Sequence, residues 1–290
     1  MIKRKNRQSD GLYPIELKES NGVYYFQFPL LEKSGIVMHG FSTKIGGVSK
    51  GVYAQMNLGV SRGDDPEAVL ENYRRIANVL HMPWERMVLS HQTHTTNIRV
   101  VTGKDAGAGL VKKRDYENVD GLITNIPNLP LVTFYADCVP LYFVDPVHRA
   151  IGLSHSGWRG TVNRMGQCTV EAMKAEYHSR PEDILACIGP SICSECYEVG
   201  EEVAQEFEKA FLPAQNEQIL KQKPDGKYLL NLWKANEIIL LEAGIKKEHL
   251  AITDVCTKCN PDLLYSHRVM GNQRGCLLYT SPSPRDRSVS

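Results

Sequence analysis

The sequence predicts a single mixed α/β domain, and three observations support this prediction. The chain has 290 residues, of which 42% are apolar and 23% charged, so it can bury a large core. Its centre is a series of short strand-like runs separated by Gly, Pro, Asn and Asp, and segments with helical periodicity are inserted at intervals. No proline-rich or glycine-rich linker and no internal repeat divides the chain, so one domain is expected.

The strands are predicted from short apolar or alternating runs bounded by turn residues. In chain order they cover residues 23–28, 36–41, 87–90, 97–102, 120–124, 131–136, 139–144, 150–154, 184–188 and 250–255.

The helices are predicted from apolar residues spaced three and four apart. Asp65 is an N-cap followed by Pro66 at the first helical position, and the apolar period then continues to Leu80. A second helical period begins at Thr161 and ends before Pro181. Two further helices are predicted over 201–211 and 231–243.

Charge and hydropathy exclude several classes of partner. The formal net charge is only +1, so the chain lacks the overall field that would hold nucleic acid or a membrane surface. The apolar runs, such as 139–144, are far shorter than the roughly 20 residues that cross a bilayer. The basic residues near the N-terminus are not followed by the apolar region of a secretion signal, so we expect a cytoplasmic protein.

The two ends of the chain are expected to lie outside the folded domain. Residues 1–22 are predicted to be a flexible N-terminal segment. Residues 276–290, which read CLLYTSPSPRDRSVS, have no structural period and resemble the translation of a sequencing-library transposon adapter. We therefore expect the domain to cover 23–275 and the last fifteen residues to be a non-native tail that contributes nothing to the fold.

Three predicted strand ends each carry a good metal ligand. They are His94, Cys138 and His155. Two imidazoles and a thiolate suit Zn²⁺, and three protein ligands leave the fourth tetrahedral position open for water or substrate. Because any strand end can carry a histidine, the spacing alone leaves hydrogen-bonded, metal-free side chains as an open alternative. His91 could compete as a ligand if its segment were helical, but on a strand it points away from His94.

Most of the eight cysteines remain to be explained. Because there is no export signal, they are better interpreted as thiols or metal ligands than as disulfides. Cys193 and Cys196, with Cys256 and Cys259, form a C-x-x-C pair of pairs that could hold a structural zinc. The long separation of the pairs and the lack of knuckle glycines favour reduced thiols instead.

Arg159 lies between Gly157 and Gly160 just before a predicted helix. Free backbone N–H groups at a helix start, together with a guanidinium, can bind an anion such as phosphate. Pairing of Arg159 with a nearby carboxylate is an equally open alternative.

Read together, nine landmarks between Gly40 and Gly275 resemble, in order, those of the YfiH/YlmD family, also known as laccase-domain or polyphenol-oxidase-like proteins. They are Gly40-Phe41-Ser42-Thr43 with Gly46-Gly47-Val48-Ser49, Asn57-Leu58-Gly59 with Gly63-Asp64-Asp65-Pro66, Gln92-Thr93-His94, Val119-Asp120-Gly121-Leu122, Ala136-Asp137-Cys138-Val139-Pro140, His155-Ser156-Gly157-Trp158-Arg159-Gly160, Ile188-Gly189-Pro190, Cys196-Tyr197-Glu198-Val199 and Cys256-Thr257-Lys258-Cys259-Asn260-Pro261.

The resemblance implies a single four-layer α-β-β-α domain, similar to the CNF/YfiH-like hydrolase fold, with 23–275 as the catalytic domain. It implies that His94, Cys138 and His155 are catalytic and hold Zn²⁺. Asn57, Asp137 and Arg159 are the residues we expect to contact substrate. The implied activity is phosphorolysis of adenosine, inosine, guanosine and methylthioadenosine, with deamination of adenosine. The expected partners are purine nucleosides and phosphate, and the expected state is a monomer or weak homodimer.

Three alternatives stay open from the sequence. A copper polyphenol oxidase is disfavoured, because a multicopper cluster needs about ten histidines, largely in H-x-H pairs, and this chain has nine histidines and no such pair. A cysteine hydrolase would use Cys138 as a nucleophile activated by His155. A metal-stabilised binding module would have no turnover. The H-x-E and P-C-x-x-C signature of base deaminases is absent, so any deamination site is built differently.

Overall fold

The computed structural model describes residues 2–5 and 14–281. The strands of these residues are β1 (Glu16–Ser20), β2 (Val23–Gln27), β3 (Gly40–Ser42), β4 (Val88–Leu89), β5 (Ile98–Val100), β6 (Gly121–Thr124), β7 (Leu131–Tyr135), β8 (Val139–Asp145), β9 (Ala150–Ser156), β10 (Leu185–Ile188), β11 (Glu198–Val199), β12 (Leu220–Gln222), β13 (Tyr228–Leu230), β14 (Leu250–Ile252) and β15 (Leu277–Ser281). The α-helices are α1 (Pro29–Glu32), α2 (Pro66–Val79), α3 (Trp158–Val162), α4 (Met165–Tyr177), α5 (Glu201–Ala210), α6 (Pro213–Ile219), α7 (Leu232–Glu242) and α8 (His267–Met270). Within this part of the chain, no helix combines the length and apolar character needed to cross a bilayer.

The strands form two mixed six-stranded sheets and one small three-stranded sheet. The first sheet has the order β1-β2-β3-β15-β7-β4, and the second has the order β14-β10-β8-β9-β6-β5. The small sheet, β11-β13-β12, lies at the side of the domain where α5 packs. Most neighbours are antiparallel, and the parallel pairs β4/β7, β5/β6 and β10/β14 lie at the sheet edges.

The two large sheets pack face to face and are covered by helices on their outer sides. Phe41 and Tyr135 of the first sheet belong to one buried apolar cluster with Leu153 of the second, and the Tyr135 hydroxyl donates across the layer to the Ser154 carbonyl at 3.0 Å. Helix α2 covers the outer face of the first sheet through residues such as Tyr73, and α4 and α7 cover the second sheet. The layers therefore follow the order α-β-β-α, which confirms the predicted fold class.

Several helices differ in detail from the sequence-based prediction. Asp65 caps α2 as expected, because its Oδ1 accepts the backbone N–H of Glu67 at 3.0 Å. The helix predicted from Thr161 to before Pro181 is found as α4, but it begins only at Met165, because Arg164 adopts a left-handed conformation with φ 60° and separates α3 from α4. The strand predicted over 36–41 is also shifted, because only Gly40–Ser42 pairs with a neighbour.

The predicted flexible N-terminal segment 1–22 is wrong for the residues that can be described. Strand β1 pairs antiparallel with β2 along its whole length, and Ile15 before it is fully buried. Nearer the N-terminus, Arg4 Nη1 donates to Asp254 Oδ1 at 2.7 Å. These contacts extend the domain beyond the boundary predicted at Val23, because a strand at a sheet edge needs only a few alternating residues and gives a weak sequence signal.

The boundary predicted at Gly275 is also wrong. Strand β15 lies inside the first sheet and pairs antiparallel with β7 on one side and β3 on the other. Cys276 and Leu277 are buried. Five residues of the predicted tail therefore complete the hydrogen bonding of a central sheet position, whereas 282–290 lie outside the described residues. The adapter origin of the segment stays a prediction.

Candidate metal centre and its clefts

The structure brings His94, Cys138 and His155 together. One ligand atom from each residue lies within 4.8 Å of the other two, and the two imidazole centroids are 5.0 Å apart. His94 lies in the loop after β4, Cys138 lies just before β8, and His155 belongs to β9. The three residues come from separate segments, so only the pairing of the sheets makes them neighbours.

The β8–β9 hairpin determines the close approach of Cys138 to the histidines. In its antiparallel register Pro140 pairs with His155, and Cys138 consequently lies beside Gly157. A Cβ atom on Gly157 would lie only 3.0 Å from Cys138 Sγ and 3.2 Å from His94 Cδ2. The absence of a side chain at position 157 thus provides the space in which the three ligands converge.

Asp120 holds both histidines in place. Its Oδ1 lies 2.8 Å from His155 Nδ1 and also accepts the backbone N–H of His94 at 3.1 Å. Its Oδ2 accepts the backbone N–H groups of Thr93 and Thr95 at 2.9 and 3.0 Å. His94 itself has a φ of 65°, a left-handed conformation that these bonds help to hold. One buried carboxylate therefore orients a ligand ring and the loop that carries a second ligand.

The electrostatics of the centre favour charged groups in the absence of a metal. Burial alone would raise the pKa of the Asp120 carboxyl, but the bond to His155 and the bonds to the 93–95 loop outweigh it and lower this pKa to about 2. Burial would likewise raise the pKa of the Cys138 thiol, yet the adjacent imidazoles of His155 and His94 lower it to about 6. For His155, burial is outweighed by Cys138 and Asp120, which raise its pKa to about 9.

This donor set fits a metal ion. His155 uses Nδ1 to bind Asp120, so Nε2 is left for a metal, as is common for ligating histidines. The Cys138 thiol already favours the thiolate form that binds metals. Two nitrogens and one sulfur suit zinc or copper, and three ligands leave a position open. His91 lies outside this group of converging ligand atoms, and its Nδ1 accepts the Asn118 N–H at 3.1 Å.

Two clefts meet at His94 and Cys138, and His155 lines the first of them. The first, of about 270 Å³, is lined near the centre by Arg62, Arg114 and Arg274. The second, of about 340 Å³, shares His94, Cys138, Arg62 and Arg274 with the first and has Trp158 and Tyr197 in its wall. Arginines and aromatic rings line both clefts. We call the first, which contains Arg114, the basic cleft and the second, which contains Trp158 and Tyr197, the aromatic cleft.

The residues expected to bind substrate lie in different places. Asp137 lines the second cleft, and its carboxylate accepts the Thr257 hydroxyl at 2.6 Å and the Arg268 N–H at 2.7 Å. Asn57 is fully buried and lines neither cleft, because its side chain binds Asp64, Gly59 and Cys276. Arg159 is exposed, with its guanidinium 4.3 Å from the Trp158 ring centroid, and it lines neither cleft.

Two residues of the centre were not singled out from the sequence. Asp120 belongs to a recognised landmark, and its position as the first residue of the strand predicted over 120–124 was the available signal. Arg274 gives no such signal, because it follows Gly271 in a polar loop with no period. The structure buries Arg274 in the wall of both clefts and leaves its Nε without a hydrogen-bond partner among the described residues.

The α-β-β-α layers and the His–Cys–His group at their strand ends define an α/β protein with a candidate three-ligand metal centre, and three protein ligands are the number found in open zinc sites. The chain belongs to the family described as multi-copper polyphenol oxidoreductase laccase, whose family model matches residues 38–280.

Similar proteins carry more specific names. The purine nucleoside phosphorylase YlmD of Bacillus subtilis strain 168 is 36% identical over 236 residues, which cover 80% of this chain and 83% of that protein. The adenosine deaminase RL5, from an unknown prokaryotic organism, is 32% identical over 237 residues, covering 81% of this chain and 90% of that protein. The crystal structure of YlmD from Geobacillus stearothermophilus has a TM-score of 0.85 and 33% identity, covering 94% of this chain and 100% of that chain. The resemblance to the YfiH/YlmD family is confirmed.

The copper cluster in the family description finds little support in this chain. All nine histidines lie in the described residues, and only His94 and His155 belong to a group that could hold a metal. The remaining candidate group among these residues consists of four cysteines. A blue-copper site with a three-copper cluster needs many more imidazoles in one place.

Proposed function

We propose that the protein is a zinc-dependent purine nucleoside phosphorylase that also deaminates adenosine. Its substrates would be adenosine, inosine, guanosine and methylthioadenosine, with phosphate as the second substrate. The convergence of His94, Cys138 and His155 where a basic and an aromatic cleft meet is the observation that carries the proposal. The expected cytoplasmic location and the monomeric or weakly dimeric state belong to the same proposal.

The names of the relatives support both activities. Proteins that align with most of this chain are named purine nucleoside phosphorylase and adenosine deaminase. Phosphorolysis and deamination both act on a purine nucleoside but at different atoms, C1′ of the ribose and C6 of the base. One centre with two adjoining clefts is suited to such a pair of reactions.

The basic cleft is the side on which phosphate would bind. Arg274 is only 7% exposed, and its Nε has no partner within the described part of the chain, so a buried donor is available to an anion. Arg62 and Arg114 line the same cleft. A guanidinium binds a phosphate through two parallel N–H groups. These bonds fix the orientation of the phosphate for attack at C1′ and stabilise its negative charge.

The second cleft is the side on which the purine would bind. Trp158 and Tyr197 offer flat apolar surface, and Ile192 and Leu232 extend it. Asp137 in the same wall has a φ of 89° and is held by Thr257 and by the N–H of Arg268, so it keeps a defined position beside Cys138. We keep the expected substrate contact of Asp137 as part of the proposal.

His91 is suited to donate a proton to the substrate. It lines the basic cleft, and its Nδ1 accepts the Asn118 N–H, so in the neutral ring Nε2 carries the proton. The proposal assigns to His91 the general acid that the departing purine needs. A zinc ion held by His94, Cys138 and His155 would supply a Lewis acid and lower the pKa of water, which suits deamination.

A cysteine hydrolase is the second candidate, and one observation favours it. Cys138, His155 and Asp120 form a chain of contacts in the order of a thiol–imidazole–carboxylate triad, and the Cys138 thiol has a pKa of about 6. Such an enzyme would work without a metal and without phosphate. The same measurements therefore separate the two candidates.

The decisive experiment follows inosine cleavage by the purified chain with and without phosphate. Under our proposal hypoxanthine forms only with phosphate, and adenosine gives adenine with phosphate and a little inosine without it. Removal of zinc by a chelator abolishes both reactions, and added zinc restores them. Phosphate-independent, chelator-resistant cleavage would instead support the hydrolase. Cys138→Ala removes activity in either case, so it serves as the control for a contaminating enzyme.

A further inference from the structure

We propose a second metal site in this protein, a structural zinc ion bound by Cys193, Cys196, Cys256 and Cys259. In the structure the four sulfur atoms lie within 4.8 Å of one another. A tetrahedral Zn²⁺ with four thiolates at about 2.3 Å needs sulfur–sulfur distances of about 3.8 Å. Only small side-chain adjustments separate the observed cluster from that geometry. This inference does not depend on the reaction catalysed at the other centre.

Two loops from distant parts of the chain present the ligands. Cys193 and Cys196 flank a tight turn in which the Cys196 N–H donates to the Cys193 carbonyl at 3.0 Å. The second pair follows β14, where Cys256 forms a β-bridge with Ser191. The backbone thus brings the two C-x-x-C segments side by side. The sequence spacing favoured separate reduced thiols because it carries no information on this long-range pairing.

Contacts around the sulfurs fit a set of bound thiolates. The Cys193 N–H donates to Cys256 Sγ at 3.3 Å, and such N–H···S bonds support metal-bound sulfur. The Lys5 ammonium, which is paired with Glu195, also interacts electrostatically with Cys193 and Cys259. Four thiolates around Zn²⁺ carry a net charge of −2, which a nearby ammonium offsets.

The degree of burial distinguishes this site from the first. Cys193 and Cys256 are buried in the core beneath α7, and Cys196 and Cys259 are half-buried at its edge. Four protein ligands fill a tetrahedral shell and leave no position for substrate, so the site is structural. A tetrahedral set of four sulfurs suits zinc, whereas Cu²⁺ prefers sites rich in nitrogen ligands.

The position of the site gives it a role in shaping the aromatic cleft. Ile192 and Tyr197, which line that cleft, are the neighbours of Cys193 and Cys196 in sequence. On the other loop, Thr257 follows Cys256 and donates its hydroxyl to Asp137, next to Cys138. A zinc ion joining the loops would hold both parts of this wall together.

The test is the zinc content of the full chain, purified with a reductant and measured by native mass spectrometry. We expect about two zinc ions per chain. Cys138→Ala should remove one ion, and the double variant Cys196→Ser with Cys259→Ser, which changes the half-buried pair, should remove the other. Loss of the second ion should lower Tm by roughly 5–10 °C. Cys168→Ser, on α4 and outside both groups, is the matched control and should retain both ions.

Cobalt substitution of the unmodified chain provides a second measurement that does not depend on a variant folding. Sulfur-to-metal charge-transfer absorption of Co²⁺ becomes stronger with each bound thiolate, so a tetrathiolate site gives a much more intense band than a site with one cysteine. The proposal is overturned if the wild-type zinc content does not fall in the double variant, if iron occupies the site, or if the four cysteines form two disulfides. If only one zinc is found and the double variant removes it, the tetrathiolate site stands and zinc at the His–Cys–His centre fails.

Discussion

His155 Nδ1 and Asp120 Oδ1 lie 2.8 Å apart, and the same carboxylate also binds the backbone of the loop that carries His94. Two of the three candidate metal ligands therefore depend on one buried side chain. Asp120 has no exposed surface, and its carboxylate oxygens accept hydrogen bonds from the His155 ring and from the loop that carries His94. This arrangement makes Asp120 a positioning residue whose loss should be measurable in metal affinity.

Replacing Asp120 by Asn should weaken zinc binding by about 10- to 100-fold, because an amide neither fixes the His155 ring as firmly nor accepts all five bonds that the carboxylate receives. Competition with a chromophoric chelator measures this affinity. Asp115→Asn is the control, since Asp115 is an exposed carboxylate paired with Arg99 away from the centre. An Asp120→Asn protein with unchanged zinc affinity would show that the loop and ring hold their positions without the carboxylate.

Gly157→Ala should reduce zinc occupancy while leaving the fold intact. The added Cβ would lie 3.0 Å from Cys138 Sγ and 3.2 Å from His94 Cδ2, so two ligands must move apart. Zinc content and Tm of the variant measure the two effects separately. Gly103→Ala, where a Cβ meets no atom within 4 Å, is the matched control. Full zinc occupancy in Gly157→Ala would mean that the ligands adapt to the methyl group.

Arg274→Gln should raise the KM for phosphate by about 10- to 100-fold and leave adenosine deamination largely intact, because a charge-assisted bond to the anion is lost. If phosphate instead binds at Arg159, the anion site considered from the sequence, Arg159→Ala should have this effect. Steady-state kinetics of both variants show which arginine binds phosphate, the buried Arg274 in the cleft or the exposed Arg159 next to the Trp158 ring. Equal loss of both reactions in either variant would point to a general structural role.

The stability of the protein should fall in acid because of His39. Its imidazole is fully buried, and burial, aided by Lys18, lowers its pKa from 6.5 to about 3. The neutral ring accepts the Phe28 N–H at 2.8 Å, so folding excludes the proton that the unfolded chain binds. The stability that the neutral His39 ring contributes is fully present above about pH 6.5. Between about pH 6.5 and pH 3 the free energy of unfolding falls by about 1.4 kcal/mol for each pH unit. Denaturant titrations of the wild type and of His39→Gln, which keeps an acceptor, should diverge over this range; parallel curves would refute the assignment.

Ending the chain at Gly275 should lower Tm by more than about 10 °C or abolish cooperative unfolding, because it removes β15 from between β3 and β7. A chain ending at Ser281 keeps the strand and should unfold near the temperature of the full chain. Thermal unfolding followed by circular dichroism compares the three proteins. If the chain ending at Gly275 is as stable as the full chain, β15 contributes nothing and the boundary predicted from the sequence was correct.

The sequence alone was sufficient for features that depend on neighbouring residues. The Asp65-Pro66 capping signal located the start of α2, and the continuous apolar runs located β8 and β9, because capping and face burial leave a local period. The order of the landmarks led to the family and, through it, to His94, Cys138 and His155. Spacing by itself could not have selected these three among the other histidines and cysteines.

Tertiary structure decided what depends on residues far apart in the chain. The pairing of β8 with β9 brings Cys138 to His155, and a bridge between Ser191 and Cys256 brings four cysteines together across a separation that disfavoured them in the sequence. The same holds for Arg274, which looks like an ordinary loop residue until burial beside the centre leaves its Nε with no partner among residues 2–5 and 14–281. Periodicity reports which face of an element is buried, but the distance between two side chains is determined by sheet register and loop closure, which no local pattern records.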